Sequence, residues 1–392
     1  MGRFCQVTGR TPTDNGSPAS EGAWCTAVMQ ITIRPLDLSS DHELEQYAAV
    51  VRASDDVAFG GHEEQSVEEL RVDFADTPYW HQERYIAVGE LMEGGESVVG
   101  TGSLMFPLQE NLETVHLGIT THPAVRGHGV ATTLLEQALV PAIHESDRSL
   151  ISVYGEIPAE GDVDDPVLPA NRLGARLGLS RKNVGVCRML PLPIDDALLD
   201  QLEAEGQEKL GQYRIELWGD EIPEEHLEAY GLLLRQIELD EPDEEVEHEP
   251  AKYTPERIRV LEKRRRERGV RALIAVAVAP DGAIAGNTEV QFQKAEGTTI
   301  AWQENTLVMP EHRGHRLGLA LKVATHRLLS REMPAVQSLV TFNSHVNPWM
   351  ISINDRLGYR VAFREIAFQG RPDLSGGLLP STSGTGSATM GA

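Results

Sequence analysis

Arg126-Gly127-His128-Gly129-Val130-Ala131 is the stretch that decides the fold, because the chain repeats it as Arg313-Gly314-His315-Arg316-Leu317-Gly318. In both places an apolar strand runs into a proline, then into the Arg-Gly-His loop and a long helical pattern. A strand that turns through glycine into a helix points unpaired backbone N–H groups at one place, which favours a phosphate. Glycine lets the backbone approach a pyrophosphate that a Cβ would keep away. The two loops predict two phosphate sites, to which Arg126 and Arg313 add positive charge.

The elements around the two loops also recur in the same order, which indicates a duplication at the scale of a domain. With 392 residues, the chain is longer than one compact core usually supports. We expect a first domain over 29–190, a connector helix over 191–211 and a second domain over 212–370. The ends, 1–28 and 371–392, are rich in Gly, Ser, Thr and Pro, and we expect them to be disordered.

Periodicity and turn residues predict the individual elements. In the first copy they predict a strand at 30–35, helices within 39–74, strands near 84–89, 97–106 and 113–121, a helix at 128–145, a strand at 149–155, a helix near 167–177 and a last strand to Leu190. In the second copy they predict strands near 212–218, 271–279, 283–293, 299–308, 336–342 and 360–368, with helices at 223–239, 254–268, 315–332 and 347–357. Two charged blocks, 240–249 and 263–268, predict a solvated loop and an exposed helix face.

Composition narrows the class of protein. Hydrophobic residues make up 41% of the chain and charged residues 24%, as is typical of globular proteins. No apolar run reaches membrane-spanning length and no signal peptide opens the chain, so we expect a cytoplasmic protein without a membrane partner. The three cysteines, Cys5, Cys25 and Cys187, form no CxxC pair, and they predict neither a disulfide framework nor a thiolate metal site.

The net charge limits the partners. It is −25, from 60 acidic and 35 basic residues, and this surplus repels nucleic acid. It would attract a cationic small molecule, but an acidic surplus also keeps a protein in solution. Charge alone therefore does not name a substrate.

The loops resemble the signature of the GNAT superfamily (GCN5-related N-acetyltransferases), Gln/Arg-x-x-Gly-x-Gly/Ala between the fourth strand and the third helix. The first copy matches this signature at Arg126, Gly129 and Ala131. The second copy matches at Arg313 and Gly318 but has Arg316 at the middle glycine, so backbone contacts there require the Arg316 side chain to point outward. The two-domain layout resembles the actinobacterial mycothiol synthase type, in which the second domain is catalytic, although the helices that would face the substrate show no match.

The resemblance implies the fold and the cofactor. The expected fold is α/β (α+β), with two tandem GNAT domains, each a mixed, mostly antiparallel sheet flanked by helices, and with strands four and five splayed apart. The pantetheine arm of acetyl-CoA would lie in this gap like an extra strand, and no metal is implied. The expected cofactor-binding residues are Thr121, Arg126, Gly127, His128, Gly129, Val130 and Ala131 in the first copy and Val308, Arg313, Gly314, His315, Arg316, Leu317, Gly318, Asn343 and Asn347 in the second.

The mechanism implied by the resemblance is direct attack of an amine on the thioester carbonyl, which a backbone N–H near Val308 would polarise. Strand periodicity predicts that Trp302, Glu304, Thr306 and Val308 share one face, and Glu304 is our candidate for the general base. A solvated or salt-bridged strand glutamate is the alternative. The first copy has Leu117 at the matching position, with His116 as an alternative base from the opposite face.

Neither copy carries the tyrosine that commonly protonates the departing thiolate in this family. Asn354 stands at that position in the second copy and Gly174 in the first. The thiol of coenzyme A, with a pKa of about 8 to 9, can leave as a thiolate near neutral pH, and Ser352 or a water is an alternative acid.

The leading hypothesis is an acyl-CoA-dependent N-acyltransferase that uses acetyl-CoA on the amine of a small molecule, with chemistry in the second domain. Two alternatives stay open. One is a catalytically silent tandem module that binds coenzyme A or another ligand, and the other is a different acyl-CoA reaction, such as O-acylation, on the same fold. The oligomeric state is also open.

Overall fold

The computed structural model describes residues 30–90, 95–242, 244–374 and 376–379. Within these residues the chain forms one continuous sheet of 12 strands, six from each copy, with helices packed on both faces. The predicted extension 1–28 and the end of the predicted tail lie outside the described residues.

The strands divide equally between the copies. Those of the first copy are β1 (Thr32–Pro35), β2 (Trp80–Glu90), β3 (Glu96–Pro107), β4 (Thr114–Thr121), β5 (Leu150–Pro158) and β6 (Ser180–Pro191). Those of the second are β7 (Arg214–Trp218), β8 (Val270–Val278), β9 (Ile284–Gln293), β10 (Ile300–Val308), β11 (Ser338–Ser344) and β12 (Arg360–Gly370).

The helices follow the same repeat. The first copy has α1 (Asp41–Phe59), α2 (Val67–Phe74), α3 (Val130–Leu134), α4 (Val140–Glu145) and α5 (Pro169–Leu177). The connector is α6 (Asp196–Leu210), and the second copy has α7 (Leu227–Asp240), α8 (Pro255–Glu267), α9 (Leu317–Glu332) and α10 (Pro348–Leu357). Several helices begin at the side-chain caps that their sequences predict, such as Ser66, which forms a capping box with Glu69 before α2.

The predicted helix at 128–145 is divided into α3, a π-helical segment at Leu135–Leu139 and α4. Pro141 lies in the first turn of α4. Because proline has no backbone N–H, it cannot bond to the carbonyl of Gln137, and the wider π turn accommodates this missing bond.

The order of strands in the sheet is β1-β2-β3-β4-β5-β12-β6-β11-β10-β9-β8-β7. Only β4 with β5 and β10 with β11 pair in parallel, and the other neighbours are antiparallel. The mixed, mostly antiparallel sheet predicted for each copy is therefore confirmed.

The two copies exchange their last strands. β12 of the second copy pairs with β5 of the first, and β6 of the first pairs with β11 of the second. The exchange extends into the cores, because Ile366 and Phe368 of β12 are buried among the core residues of the first copy and Leu190 of β6 among those of the second. Neither copy completes its sheet or its core alone.

The sequence predicted that the two charged blocks, 240–249 and 263–268, are solvated, but in the structure both contact the first copy. Arg268 of the basic block pairs with Asp73 at 2.9 Å between Nε and Oδ1, and Arg264 donates to the carbonyl of Ala75, 3.0 Å away, at the end of α2. The acidic block 240–249 crosses to the first copy, where Glu249 accepts from Asn111. The basic block is stabilised because its arginines lie at the C-terminus of α2, where cations are favoured. The acidic block is held by its polar contact with the first copy.

Part of the predicted tail packs against the first copy. Leu374 is buried in the core of the first copy, and the N–H of Leu379 donates to the carbonyl of Arg176 on α5. Composition did not predict this contact, because it averages over the whole Gly- and Ser-rich segment and does not single out one leucine.

Candidate functional site

A gap opens between β10 and β11 in the second copy. The two strands pair only from Ile300 to Trp302 with Ser338 to Val340, and they separate beyond that point. At the apex, Thr341 Oγ1 still donates to the carbonyl of Gln303 at 3.0 Å. β4 and β5 separate in the same way after Leu117 and Val153, so the splayed pair expected in each copy is confirmed.

Backbone polar groups line the gap of the second copy. The N–H of Met309 donates to the carbonyl of Ala285 at 2.9 Å, and Val308 is opposite Gly286. Hydrogen-bonded and non-hydrogen-bonded pairs alternate along an antiparallel ladder, so Val308 and Thr306 occupy non-hydrogen-bonded pairs. Their N–H and C=O groups therefore point away from β9 and into the gap, where the sequence placed the N–H that would polarise a thioester.

A β-bulge interrupts β10 at the apex of this gap. The register with β9 shifts between Gln303 and Thr306, so Glu304 and Asn305 together lie opposite Glu289. The extra residue breaks the strict alternation that we assumed. Trp302 packs with Phe59 and Phe342, whereas Val308 packs with Leu317 and Leu321 of α9, so the prediction that Trp302 and Val308 share a face is wrong.

Glu304 lies in the bulge, partly buried, and its carboxylate has no hydrogen-bond or ion-pair partner among the described residues. The carboxylate opposite is engaged, because Glu289 pairs with Arg265 at 2.9 Å and accepts from Gln291 at 2.7 Å. Among the described residues Glu304 forms no salt bridge, so the salt-bridged alternative is wrong. A free carboxylate where the strands part is placed to accept a proton from a group that enters the gap.

The first copy lacks this arrangement. Its strand β4 pairs with β3 without a bulge, and the single residue Gly118 stands opposite Ser103 where the second copy has Glu304 and Asn305 opposite Glu289. The match of Glu304 to Leu117 is therefore wrong by one residue, because the bulge adds a residue that the loop spacing does not reveal. His116 is equivalent to Trp302, and burial lowers its pKa to about 4, which keeps it uncharged near neutral pH.

Both loops adopt the left-handed turns expected of a close-approach site. Gly127, Gly129 and Gly314 have φ angles of 84°, 87° and 89°, and Arg316 has φ of 55°. Neither α3 nor α9 has a side-chain cap among the described residues, so backbone N–H groups of their first turns, at Val130 and Leu317, remain available to an anion.

The Arg316 side chain points outward, as the backbone contacts of that loop require. Its Nη1 donates to the carbonyl of Glu205 on α6 at 2.8 Å and lies 3.4 Å from Glu208. His315 lies on the same side, with Nδ1 3.3 Å from the carbonyl of Lys209. The connector helix therefore binds the side chains of the loop and leaves the backbone of the loop free.

The loop arginines themselves face the first helix of their copy. Arg126 donates to Ser54 of α1 at 3.2 Å, and Arg313 pairs with Asp240 at the end of α7. Arg313 also donates through Nε to the carbonyl of Val308 at 3.1 Å. These arginines position the loop, and a phosphate would meet backbone N–H groups before it met a guanidinium.

Two of the predicted catalytic residues, Asn354 and Ser352, lie on different faces of α10. Asn354 of α10 faces inward and is buried, with its Nδ2 3.4 Å from Oδ1 of Asn343 at the end of β11. Asn347 caps α10 by accepting from the N–H of Met350 at 3.2 Å, while Ser352 lies on the exposed face of that helix. Ser352 is thus not beside Asn354 or Asn343, because neighbours two apart on a helix face in nearly opposite directions.

Gly174, at the tyrosine position of the first copy, has no room for any side chain. A Cβ on this residue would lie 2.6 Å from Cδ1 of Phe368, which enters from the exchanged strand β12. The first copy therefore cannot hold an acid at this point.

One polar residue of the site was missed. Lys322 of α9 is buried, and its Nζ donates to Oδ1 of Asn354 at 2.9 Å. The signal was a lysine on the apolar side of an otherwise amphipathic helix, four positions after Gly318, where a solvated lysine is not expected.

Comparison with known proteins agrees with this geometry. Residues 51–154 match the model of the acetyltransferase (GNAT) family. The chain is similar to a tandem GNAT protein from the clavulanic acid biosynthesis pathway, at 23% identity and a TM-score of 0.64, over 88% of this chain and 100% of that one. It is also similar to a GCN5-related N-acetyltransferase from Sphaerobacter thermophilus, at 17% identity and a TM-score of 0.55, over 90% and 98% of the two chains.

A more distant similarity in fold extends to the N-myristoyltransferase of Saccharomyces cerevisiae with bound myristoyl-CoA, at 10% identity and a TM-score of 0.51, over 93% of this chain and 85% of that one. A search of curated proteins found no match. Residues 51–154, within the first copy, therefore match the acetyltransferase (GNAT) family by sequence. The chain as a whole has the fold of a tandem GNAT protein, because its second copy repeats the fold of the first.

No described helix is long and apolar enough to cross a membrane.

Proposed function

We propose that this protein is an acyl-CoA-dependent N-acyltransferase that transfers an acetyl group to the amine of a small molecule, in the gap of its second copy. The observation that carries the proposal is Glu304, an unpaired carboxylate in a bulge where β10 leaves β11. Bulges are frequent beside active sites because they re-aim a side chain without ending the strand.

The other parts of the second gap support the same reaction. The N–H groups of Thr306 and Val308 point into the gap, where they can bind an extended pantetheine arm as a neighbouring strand would and polarise a thioester carbonyl. The start of α9 offers backbone N–H groups to the pyrophosphate. Acetyl-CoA is thus proposed as the donor, bound along β10.

The proposed chemistry is direct transfer in a ternary complex. Glu304 takes a proton from the ammonium form of the acceptor, and the free amine attacks the thioester carbonyl. A carbon–nitrogen bond forms, the nitrogen loses its second proton to solvent, the carbon–sulfur bond breaks, and coenzyme A departs. The same carboxylate also attracts a cationic acceptor, in keeping with the net charge of −25.

A matched pair of variants tests the role of Glu304. Release of free thiol from acetyl-CoA is measured over a panel of aminoglycosides, amino sugars, polyamines and amino acids. With the best acceptor, E304Q should lower kcat by roughly 10²- to 10⁴-fold, as expected when a general base is lost. E296Q, at an exposed glutamate in the turn before β10, should keep the wild-type rate. Equal rates in E304Q and wild type would remove Glu304 from the mechanism.

A silent coenzyme A-binding module is the second candidate function. The first copy favours it, because this copy matches the family yet has Gly118 and Gly174 where a base and an acid would stand. Tight binding of coenzyme A without thiol release for any acceptor in the panel would support the module over the enzyme. Thiol release that required a hydroxyl acceptor would instead support O-acylation.

A further inference from the structure

Lys322 is buried without a carboxylate beside it. It is 1% exposed, its Nζ donates to Asn354 Oδ1 at 2.9 Å, and the same nitrogen lies 5.3 Å from the centroid of the Tyr359 ring. Burying an amine without an ionic partner is costly, so lysine is rarely found in such a place. A structural role alone would be filled at lower cost by an apolar residue.

Lys322 lies beside the gap at the level where a thioester would be held. It follows Gly318 by one helical turn on the same face, and Gly318 packs near Ile353 and Val308. The four helical residues from Gly318 to Lys322 span about 6 Å, and the two strand residues from Val308 back to Thr306 span about 6.6 Å. Because α9 runs back along β10, Lys322 is level with Thr306, whose N–H points into the gap.

The bond to Asn354 joins the amine of Lys322 to the residue that stands where this family commonly has a tyrosine. Asn354 occupies the position of the usual tyrosine, and its side chain is shorter than tyrosine. The hydrogen bond of 2.9 Å adds the Lys322 amine to the end of that shorter side chain.

The first copy has lost both members of this pair together. Leu135 stands at the position equivalent to Lys322, and it is buried in an apolar core. Gly174 stands at the position of Asn354 and is closed by Phe368. The buried amine is thus a property of the copy that also has the free carboxylate.

We propose that Lys322 is the general acid of the second copy, and that its ammonium group protonates the sulfur of coenzyme A as the carbon–sulfur bond breaks. This inference rests on the proposed acyl transfer. The departing thiolate gains one proton and becomes the thiol, and Lys322 is left as a neutral amine. The acceptor nitrogen loses two protons as it becomes an amide, one to Glu304 and one to solvent. Glu304 returns its proton to solvent and Lys322 takes one back when the products leave, so one proton per turnover is released overall.

The charges around Lys322 suit this role. Burial lowers its pKa to about 7, below the thiol pKa of about 8 to 9, so the transfer runs toward the sulfur. The titratable groups that face it are His326, whose pKa is lowered to about 3 by burial and by Lys322 itself, and Tyr359, whose pKa is raised by burial. Asp200 and Glu203 of α6 bind Arg327 on the solvent side of α9. Asp355 of α10 is exposed and faces Arg188.

The thiol of bound coenzyme A provides a test that needs no acceptor. Coenzyme A is bound to the full chain, and the apparent pKa of its thiol is measured from thiolate absorbance in wild type, K322M and the control K294M. Lys294 is an exposed lysine in the turn between β9 and β10. A cationic neighbour stabilises a thiolate only while Lys322 keeps its proton, so the amine and the thiol titrate as a pair. The apparent thiol pKa should be lower in wild type and K294M than in K322M by less than one unit, with some thiolate already formed near pH 7.

Each outcome decides a separate question. An equal thiol pKa in wild type and K322M would overturn the role of Lys322 and leave the proposed acyl transfer standing. Failure of wild type to bind coenzyme A would contradict the acyl transfer itself and the role of Lys322 with it. N354L, which keeps the amine but removes its partner, should raise the thiol pKa in the same direction and serves if K322M does not fold.

A second readout uses turnover once an acceptor is found. In wild type, kcat should fall as pH rises above the pKa of Lys322, because the acid is then deprotonated. K322M should have a lower kcat without this decline. If Lys322 had only a structural role, K322M would change kcat, but its pH profile would keep the shape of the wild-type profile.

Discussion

Single residues distinguish the two copies more than the backbone does. Glu304, Lys322 and Asn354 surround the second gap, and their equivalents in the first copy are Gly118, Leu135 and Gly174. All three replacements remove a polar group. The first copy keeps the glycines of its loop, so we expect its gap to hold an extended ligand without these three polar groups.

The buried amine of Lys322 also predicts a pH-dependent stability. Its pKa is about 7 in the folded chain against 10.5 in the unfolded chain, so between these values the unfolded state holds one more proton. Stability therefore rises with pH in this window. The free energy of unfolding of wild type, relative to K322M, should increase by about 1.4 kcal/mol per pH unit between pH 7 and pH 10.

Chemical denaturation of both proteins at several pH values measures this difference. K294M is the control and should follow wild type, because its lysine is exposed. A difference between wild type and K322M that did not change with pH would mean that Lys322 keeps its proton in the folded state.

Sequence reasoning selected Glu304 and missed Lys322 for physical reasons. Periodicity found a carboxylate in an apolar strand, but the bulge between Gln303 and Thr306 moved the face on which its neighbours lie. A bulge leaves no mark in the residue pattern, because it depends on pairing with another strand. Lys322 looked like one charged residue in a helix, and only the packing of α10 shows that it is enclosed.

The loop before α9 places a strict requirement on the backbone. Gly314 has φ of 89° and Arg316 has φ of 55°, so consecutive turns of the loop enter the left-handed region. These turns aim the N–H groups of the helix start at one place, and the Arg316 side chain leaves that place by bonding to α6. The element therefore keeps the backbone geometry expected of a phosphate site although it departs from the family signature.

A negative charge at this loop should weaken coenzyme A binding. G314D should lower the affinity of the second copy for coenzyme A by tenfold or more, since an aspartate repels the pyrophosphate and tolerates a positive φ better than most residues. G282D is the matched control, because Gly282 also has a positive φ of 91° and open space around it but lies in the turn before β9. Calorimetric titration with coenzyme A compares the two.

Equal affinities for G314D and G282D would place the pyrophosphate elsewhere. Equal thermal stabilities of the two variants would show that any difference in affinity arises from charge and not from backbone strain, for which both should lose about 1 kcal/mol.

Most elements were predictable because their signals are local. Caps such as Ser66 and glycines such as Gly178 mark the ends of helices in the sequence itself. The division of the helix at 128–145 was not foreseen, because Pro141 could have ended or kinked it equally well. Only the observed π turn shows which of these occurred.

The whole molecule is a single sheet joined by exchange. β12 completes the first copy and β6 completes the second, so one strand of each gap, β5 or β11, pairs on its other side with a strand from the other copy. The buried pair Arg257–Glu110, with 2.9 Å between Nη1 and Oε2, adds a polar contact between them. We expect the two copies to unfold together.

A core substitution in β12 tests this coupling. Ile366 belongs to the second copy by sequence but is fully buried in the core of the first. I366A should cost about 2 to 5 kcal/mol of stability and should increase amide hydrogen exchange in β5 and β4, which belong to the first copy. Increased exchange confined to the second copy would contradict the exchange of strands. V361A, at an exposed residue of the same strand, is the control.

The exchange could not be read from the sequence. β6 and β12 are equivalent strands with similar apolar patterns, and both are antiparallel to their neighbours on either side. Local periodicity predicts that each strand exists but does not say which copy it completes. Duplication was therefore visible in the sequence, and the way in which the copies join was not.

Crystals of the full chain grown with coenzyme A test the central claim that the second gap is the catalytic one. We expect electron density for the pantetheine arm between β10 and β11, with the pyrophosphate at the start of α9 and the sulfur beside Glu304 and Lys322. Density for coenzyme A only between β4 and β5, with the second gap empty, would contradict it.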